Sequence, residues 1–229
     1  MKSFFKRNSH AWTLLYFFLY MQWFMWLENT ITPDTNFTNL HVALDDMIPF
    51  CEYFIIPYLL WFLYIPLVLA VIFFSSRKEF YQASAYLFTG MSICLLICTL
   101  FPNGQDLRVE SFERDNLFTT VMGLIYEADT NTNVFPSIHV FNSIGAFVIL
   151  CKSSILKNRI WLKISSGVLS ILIILSTMFL KQHSVIDVIG GIILGGLMYI
   201  VVYVINWSRV ISKKTEKTNR IDESKEISL

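Results

Sequence analysis

Residues 53–74 read YFIIPYLLWFLYIPLVLAVIFF, 22 positions without a single charge. As a helix rising about 1.5 Å per residue this stretch is about 33 Å long, enough to cross a hydrocarbon core about 30 Å thick. Five further mostly apolar stretches lie around it: Ala11–Leu27, Ala83–Phe101, Pro136–Cys151, Ile160–Leu180 and Ser184–Trp207, the last interrupted by one acid, Asp187. The 229-residue chain is 55% hydrophobic and 15% charged, where a soluble domain carries about 25% charge. An aromatic content of 16% in long runs excludes a disordered chain and a small disulfide-bonded secreted one. The expectation is an all-α polytopic membrane protein with six transmembrane helices over residues 1–207, followed by a polar cytoplasmic tail over 208–229. Lys2, Lys6 and Arg7 precede the first span, but no small-residue cleavage site follows it, so it is read as retained rather than as a signal peptide.

The net charge of +1 gives no pull toward nucleic acid. Its distribution is more informative. Of the 18 basic residues, 15 fall at the N-terminus, in the loops around residues 77–78 and 152–163, or in the tail, while only Arg108, Arg114 and Lys181 fall on the other side. The positive-inside rule then predicts both termini in the cytoplasm and the loops around 28–52, 102–135 and 181–184 outside. Within the long outer loop, Val109–Glu127 alternates apolar and charged residues with a ragged period, which suits either an amphipathic helix over a site or a solvated loop. Cys51, Cys94, Cys98 and Cys151 lie in or beside apolar spans, and small buried side chains are the expectation for them.

Two histidines fall at the outer ends of predicted spans. His183 and Asp187 are four apart, which puts them on one helical face, where the carboxylate can orient the imidazole and leave its other nitrogen free as a base or nucleophile. In Pro136-Ser137-Ile138-His139, Pro136 is predicted to open the fourth span. The first-turn N–H groups, the Ser137 hydroxyl and the helix dipole favour an anion such as phosphate there. Spans four and six both run inward, so the two histidines are expected to converge, with Gln105 and Arg108 from the adjoining loop.

These segments resemble the type 2 phosphatidic acid phosphatase superfamily, which includes membrane lipid phosphatases, bacterial acid phosphatases, vanadium haloperoxidases and lipid phosphotransferases. The family motifs are Lys-x6-Arg-Pro, Pro-Ser-Gly-His and Ser-Arg-x5-His-x3-Asp. The second reads here Pro136-Ser137-Ile138-His139, and the third reads Ser176-Thr177, five residues, then His183 and Asp187. The first survives as the stretch 101–109 with Arg108; Phe101 stands in the lysine position, Val109 in the proline position and Thr177 in the arginine position. The resemblance spans roughly residues 100–196. It implies a six-span bundle of the acid phosphatase–haloperoxidase type that acts on a lipid phosphate in the bilayer. His183 would be the nucleophile, oriented by Asp187, and His139 the general acid and base. Arg108, Ser137 and backbone N–H groups would hold the phosphoryl group, with no metal or other cofactor, and Lys181 and Gln105 are the candidates to substitute for the missing motif cations. Hydrolysis is favoured over transfer to an alcohol, because water needs no acceptor pocket. A non-catalytic transporter or scaffold that binds a lipid head group is the rival from a different class.

Overall fold

In the computed structural model, residues 8–207 are described; the N-terminal lysines and the tail discussed above, including 208–229, lie outside the described residues. A 3-10 segment, Ser9–Leu15, runs into helix α1, Tyr16–Thr30. There follow strand β1 (Thr38–Asn39), the short helix α2 (Ala43–Asp46), helices α3 (Ile55–Ser75) and α4 (Arg77–Leu100), and strand β2 (Asn103–Gly104). The second half comprises α5 (Leu117–Ala128), α6 (Ile138–Lys152), α7 (Ile160–Phe179) and α8 (Val185–Tyr199), which continues as a π-helical turn, Ile200–Val204.

Four helical segments among the described residues are long and apolar enough to cross a membrane: Glu52–Ser75, Arg77–Leu100, Ile160–Phe179 and Val185–Val204. This corrects the expected six. The first expected span is divided between the 3-10 segment and a 15-residue helix. The fourth, expected over the 16 residues Pro136–Cys151, is a 15-residue helix, Ile138–Lys152, about 22 Å long, with Pro136 and Ser137 lying before it. The four long segments are consistent with a multi-pass helical membrane protein, and α3, α7 and α8 turn Phe62, Leu63, Trp161, Leu162, Ile192 and Ile193 outward.

Helix α6 is the centre of the bundle, packing against α3, α4, α7 and α8. Two glycines admit its side chains to α4 and α8. A Cβ on Gly90 would lie 1.9 Å from the Phe141 ring, and one on Gly191 would lie 2.8 Å from the Ser137 carbonyl oxygen. Helix starts follow local chemistry. Ser76 caps α4 by accepting from the Glu79 N–H, and Asn116 caps α5 by accepting from the N–H groups of Phe118 and Thr119. The segment 109–127 thus resolves into an irregular stretch followed by an amphipathic helix. Beyond α4, the parallel pair β1·β2 joins Thr38 to Asn103 and Asn39 to Gly104. The buried Asn103 accepts on Oδ1 from the Phe135 N–H (2.8 Å) and on its carbonyl from the Asn133 N–H (2.7 Å), tying the two loops at this end of the bundle together.

Candidate active site

The site forms where α6 and α8 begin. Ser137 is the N-cap of α6 and Ser184 the N-cap of α8; Pro136, expected at the first helical position, precedes the cap. The two starts are bonded directly, the Ser137 N–H donating to the Asp187 carbonyl at 3.1 Å. The motif Ser184-Val185-Ile186-Asp187 is a capping box. The Ser184 hydroxyl accepts from the Ile186 N–H at 3.3 Å, and Asp187 Oδ2 accepts from the Ser184 N–H at 3.0 Å. That same Oδ2 lies 3.3 Å from His183 Nδ1. One buried carboxylate therefore both starts the helix and orients the ring, which leaves His183 Nε2 as the basic nitrogen. His183 Nε2 stands 3.3 Å from His139 Nδ1. His139 in turn is walled by the Trp61 and Tyr58 rings, at centroid distances of 4.4 and 5.0 Å. The line Asp187, His183, His139 joins residues 44 and 48 positions apart in the chain.

A cavity of about 400 Å³ opens on this pair, lined among others by His139, His183, Gln182, Glu28, Asp129 and Tyr58. Arg108, Gln105, Lys181 and Ser137 stand behind its wall. Arg108 donates from Nη1 to the carbonyls of Tyr126 (2.9 Å) and Asp129 (2.7 Å), and from Nη2 to the Thr130 carbonyl (2.8 Å) and Gln182 Oε1 (2.9 Å). The guanidinium also covers the Tyr126 ring at 4.7 Å. Gln105 donates to the Lys181 carbonyl at 3.0 Å, and Lys181 Nζ donates to the Asp45 carbonyl at 2.7 Å. Burial lowers the Lys181 pKa, against the pull of Asp45 and Asp46. In the third motif, Thr177 is fully buried and its carbonyl receives the N–H groups of Gln182 (2.9 Å) and His183 (3.1 Å), closing α7.

Three participants escaped the sequence reading. Asp45, 2% exposed, accepts from Ser184 Oγ (2.6 Å) and from the Val185 N–H (2.8 Å), so an anion from α2 sits on the start of α8. Glu28 at the end of α1 accepts from Thr130 Oγ1 (2.6 Å) and Asn133 Nδ2 (2.9 Å), fixing the loop before Pro136. Asp129 lines the cavity. Burial first, then Glu28, raises its pKa to about 6, although Arg108 and His183 oppose the shift. Asp45 and Glu28 are joined to their partners across more than 100 residues, so no local pattern marks them; Asp129 gives a signal only as an acid closing an amphipathic stretch. A second histidine–carboxylate group lies at the surface, where His41 Nε2 is 2.7 Å from Asp46 and Nδ1 is 2.8 Å from Asp106. Among the described residues no three His, Cys, Asp or Glu side chains are grouped so as to hold a metal ion.

Residues 105–211, a little under half of the chain, match the PAP2 superfamily. The matched segment contains both motif histidines and Asp187. No curated protein and no solved structure matches the chain. The PAP2 match and the clustering of histidines with carboxylates are consistent with a phosphatase-type hydrolytic centre in a helical membrane protein.

Proposed function

We propose that this chain is a membrane lipid phosphate phosphatase, hydrolysing a phosphomonoester or diphosphate of a lipid through a phosphohistidine. The observation that carries the reading is the 3.3 Å approach of His139 Nδ1 to His183 Nε2, with Asp187 Oδ2 behind His183. In the first step His183 Nε2 attacks phosphorus, the bond to the bridging oxygen breaks, and His139 donates a proton to the departing group, a lipid alkoxide from a monoester or a lipid monophosphate from a diphosphate. In the second, His139 takes a proton from water, the hydroxide attacks phosphorus, and the N–P bond breaks to release phosphate and free His183. Asp187 holds the Nδ1 proton throughout. The phosphoryl transition state demands positioning and charge stabilisation; the N–H groups opening α6 and the Arg108 charge supply it, with Ser137, Gln105 and Lys181 keeping the two helix starts in register.

A lipid substrate is supported by a second, apolar cavity of about 540 Å³ between α1, α3 and α4, which shares Tyr20, Met21, Trp61, Phe62 and Ile138 with the catalytic one. Acyl or prenyl chains would lie there while the head group meets the histidines. The distribution of basic residues supports both termini inside and the site on the extracytoplasmic face, and the PAP2 match supports a bundle of the acid phosphatase–haloperoxidase kind. The test is brief exposure of purified protein to 32P-labelled phosphatidic acid or prenyl diphosphate, followed by alkaline trapping and peptide mapping. Label on His183 is expected. Activity unchanged by His183→Ala would instead support a protein that only binds head groups.

A further inference from the structure

Resting on that phosphatase reading, we infer that Gln182, not Arg108, is the side chain that donates to the phosphoryl oxygen, and that Arg108 is a positioning residue acting through it. The guanidinium has both terminal nitrogens engaged, with three backbone carbonyls and Gln182 Oε1 as acceptors. Its remaining Nε–H is without a partner, but Arg108 does not line the catalytic cavity. Gln182 does line it, is 3% exposed, and adjoins His183 in the chain.

Which way the Gln182 amide faces follows from chemistry. A guanidinium has donors only, so the amide atom 2.9 Å from Arg108 Nη2 must be the oxygen. The Nε2 group is thereby turned from Arg108, and it is buried with no acceptor. A buried amide N–H left unpaired costs about 1–3 kcal/mol, a penalty that an incoming oxygen relieves. The cavity also contains the carboxylates Glu28 and Asp129, which repel an anionic phosphoryl group, so a donor from the lining is needed to offset them. The backbone of Gln182 is held independently of its side chain, its N–H by Thr177 and its carbonyl by Gln105.

The experiment uses the full chain in detergent micelles, with phosphate release from dioctanoyl phosphatidic acid and inhibition by orthovanadate as paired readouts. Gln182→Met, of similar length and without a donor, and Gln182→Glu, which keeps the Arg108 contact but presents no N–H, are compared with the parent protein. Loss of one preorganised donor lowers turnover about 100-fold, and the orthovanadate inhibition constant is expected to rise in parallel in both variants, with the melting temperature held. A parent protein that releases no phosphate and ignores orthovanadate overturns the phosphatase reading and this inference with it. An active parent with Gln182→Met within threefold on both readouts overturns the inference alone, as does a variant that loses turnover yet binds orthovanadate as before.

Discussion

Removing the Asp45 carboxylate should loosen the start of α8, immediately after His183, without touching the cavity. Oδ2 of Asp45 accepts from Ser184 Oγ at 2.6 Å and from the Val42 N–H at 2.9 Å, and Oδ1 accepts from the Val185 N–H at 2.8 Å. A hydrogen bond to a charged group is worth about 1.5–3 kcal/mol, and an anion at a helix start adds about 0.3–1 kcal/mol. These contributions share one carboxylate and do not add. Asp45→Ala strands the half-buried Val185 N–H and the buried Ser184 hydroxyl, and should cost about 3–4 kcal/mol. Asp45→Asn keeps one acceptor, and the Ser184 hydroxyl can turn to accept from the new amide, so about half that loss is expected. Unfolding free energies from denaturant titration of the detergent-solubilised protein measure both, and amide exchange at Ser184 and Val185 reports whether the loss is local. Phosphate release should fall in the same order. Should Asp45→Ala unfold within about 0.5 kcal/mol of the parent, the carboxylate does not secure α8, and the account of how His183 is positioned is wrong.

Gly191→Ala sets a methyl 2.8 Å from a backbone oxygen and 2.9 Å from Val140 Cβ. It should cost about 1–3 kcal/mol and part α8 from α6, whereas Gly196→Ala, with nothing within 4 Å, should be neutral or stabilising; melting curves of the two compare them directly. Asp129 carries a raised pKa, so its charged form is disfavoured on folding. That penalty is complete above the folded value of about 6 and disappears as the pH falls through it toward the ordinary carboxyl range. Asp129→Asn should therefore raise the melting temperature at about pH 8 and leave it unchanged near pH 4, and an equal gain at both would refute the assignment. Ala70→Phe narrows the apolar cavity and should raise KM for dioleoyl phosphatidic acid roughly tenfold, about 1.4 kcal/mol, while a water-soluble aryl phosphate is turned over as before.

The sequence made the helical, membrane-embedded class legible because long uncharged runs have one physical solution in lipid. It also exposed the His183–Asp187 pair through its spacing of four, although His183 stands just before the Ser184 N-cap and meets Asp187 through the capping box rather than on a shared helical face. Capping signals at Asn116 and at Ser184-Val185-Ile186-Asp187 were present to be read and would have fixed the starts of α5 and α8. The start of α6 was not legible: apolarity extends from Pro136, but helical geometry starts only at Ile138, after a loop held by Asn103 and Glu28 from elsewhere in the chain. Nor could spacing show that the Arg108 fork is consumed by the carbonyls at residues 126–130. A guanidinium near a phosphate motif suggests a phosphate ligand, and only the fold shows which acceptors reach it first.

The shortness of α6 is compatible with its task because four helices enclose it, so that it need not match the bilayer. Enclosure also permits polar groups along its length. The Ser143 hydroxyl donates to the His139 carbonyl at 2.6 Å, the Ser143 carbonyl accepts from Ser170 Oγ on α7 at 3.0 Å, and Tyr64 on α3 lies within hydrogen-bonding distance of Ser166 and Ser170, at 2.5 and 3.2 Å. Turning α6 by one residue, about 100°, would break the Ser170–Ser143 bond and drive the Phe141 ring off Gly90. Apolar packing alone tolerates small rotations; a buried directional bond between helices does not. The rotational setting of α6, and with it the aim of His139 toward His183, is thus fixed by the Ser170–Ser143 bond, itself braced by Tyr64 on α3, and by the seat of Phe141 on Gly90.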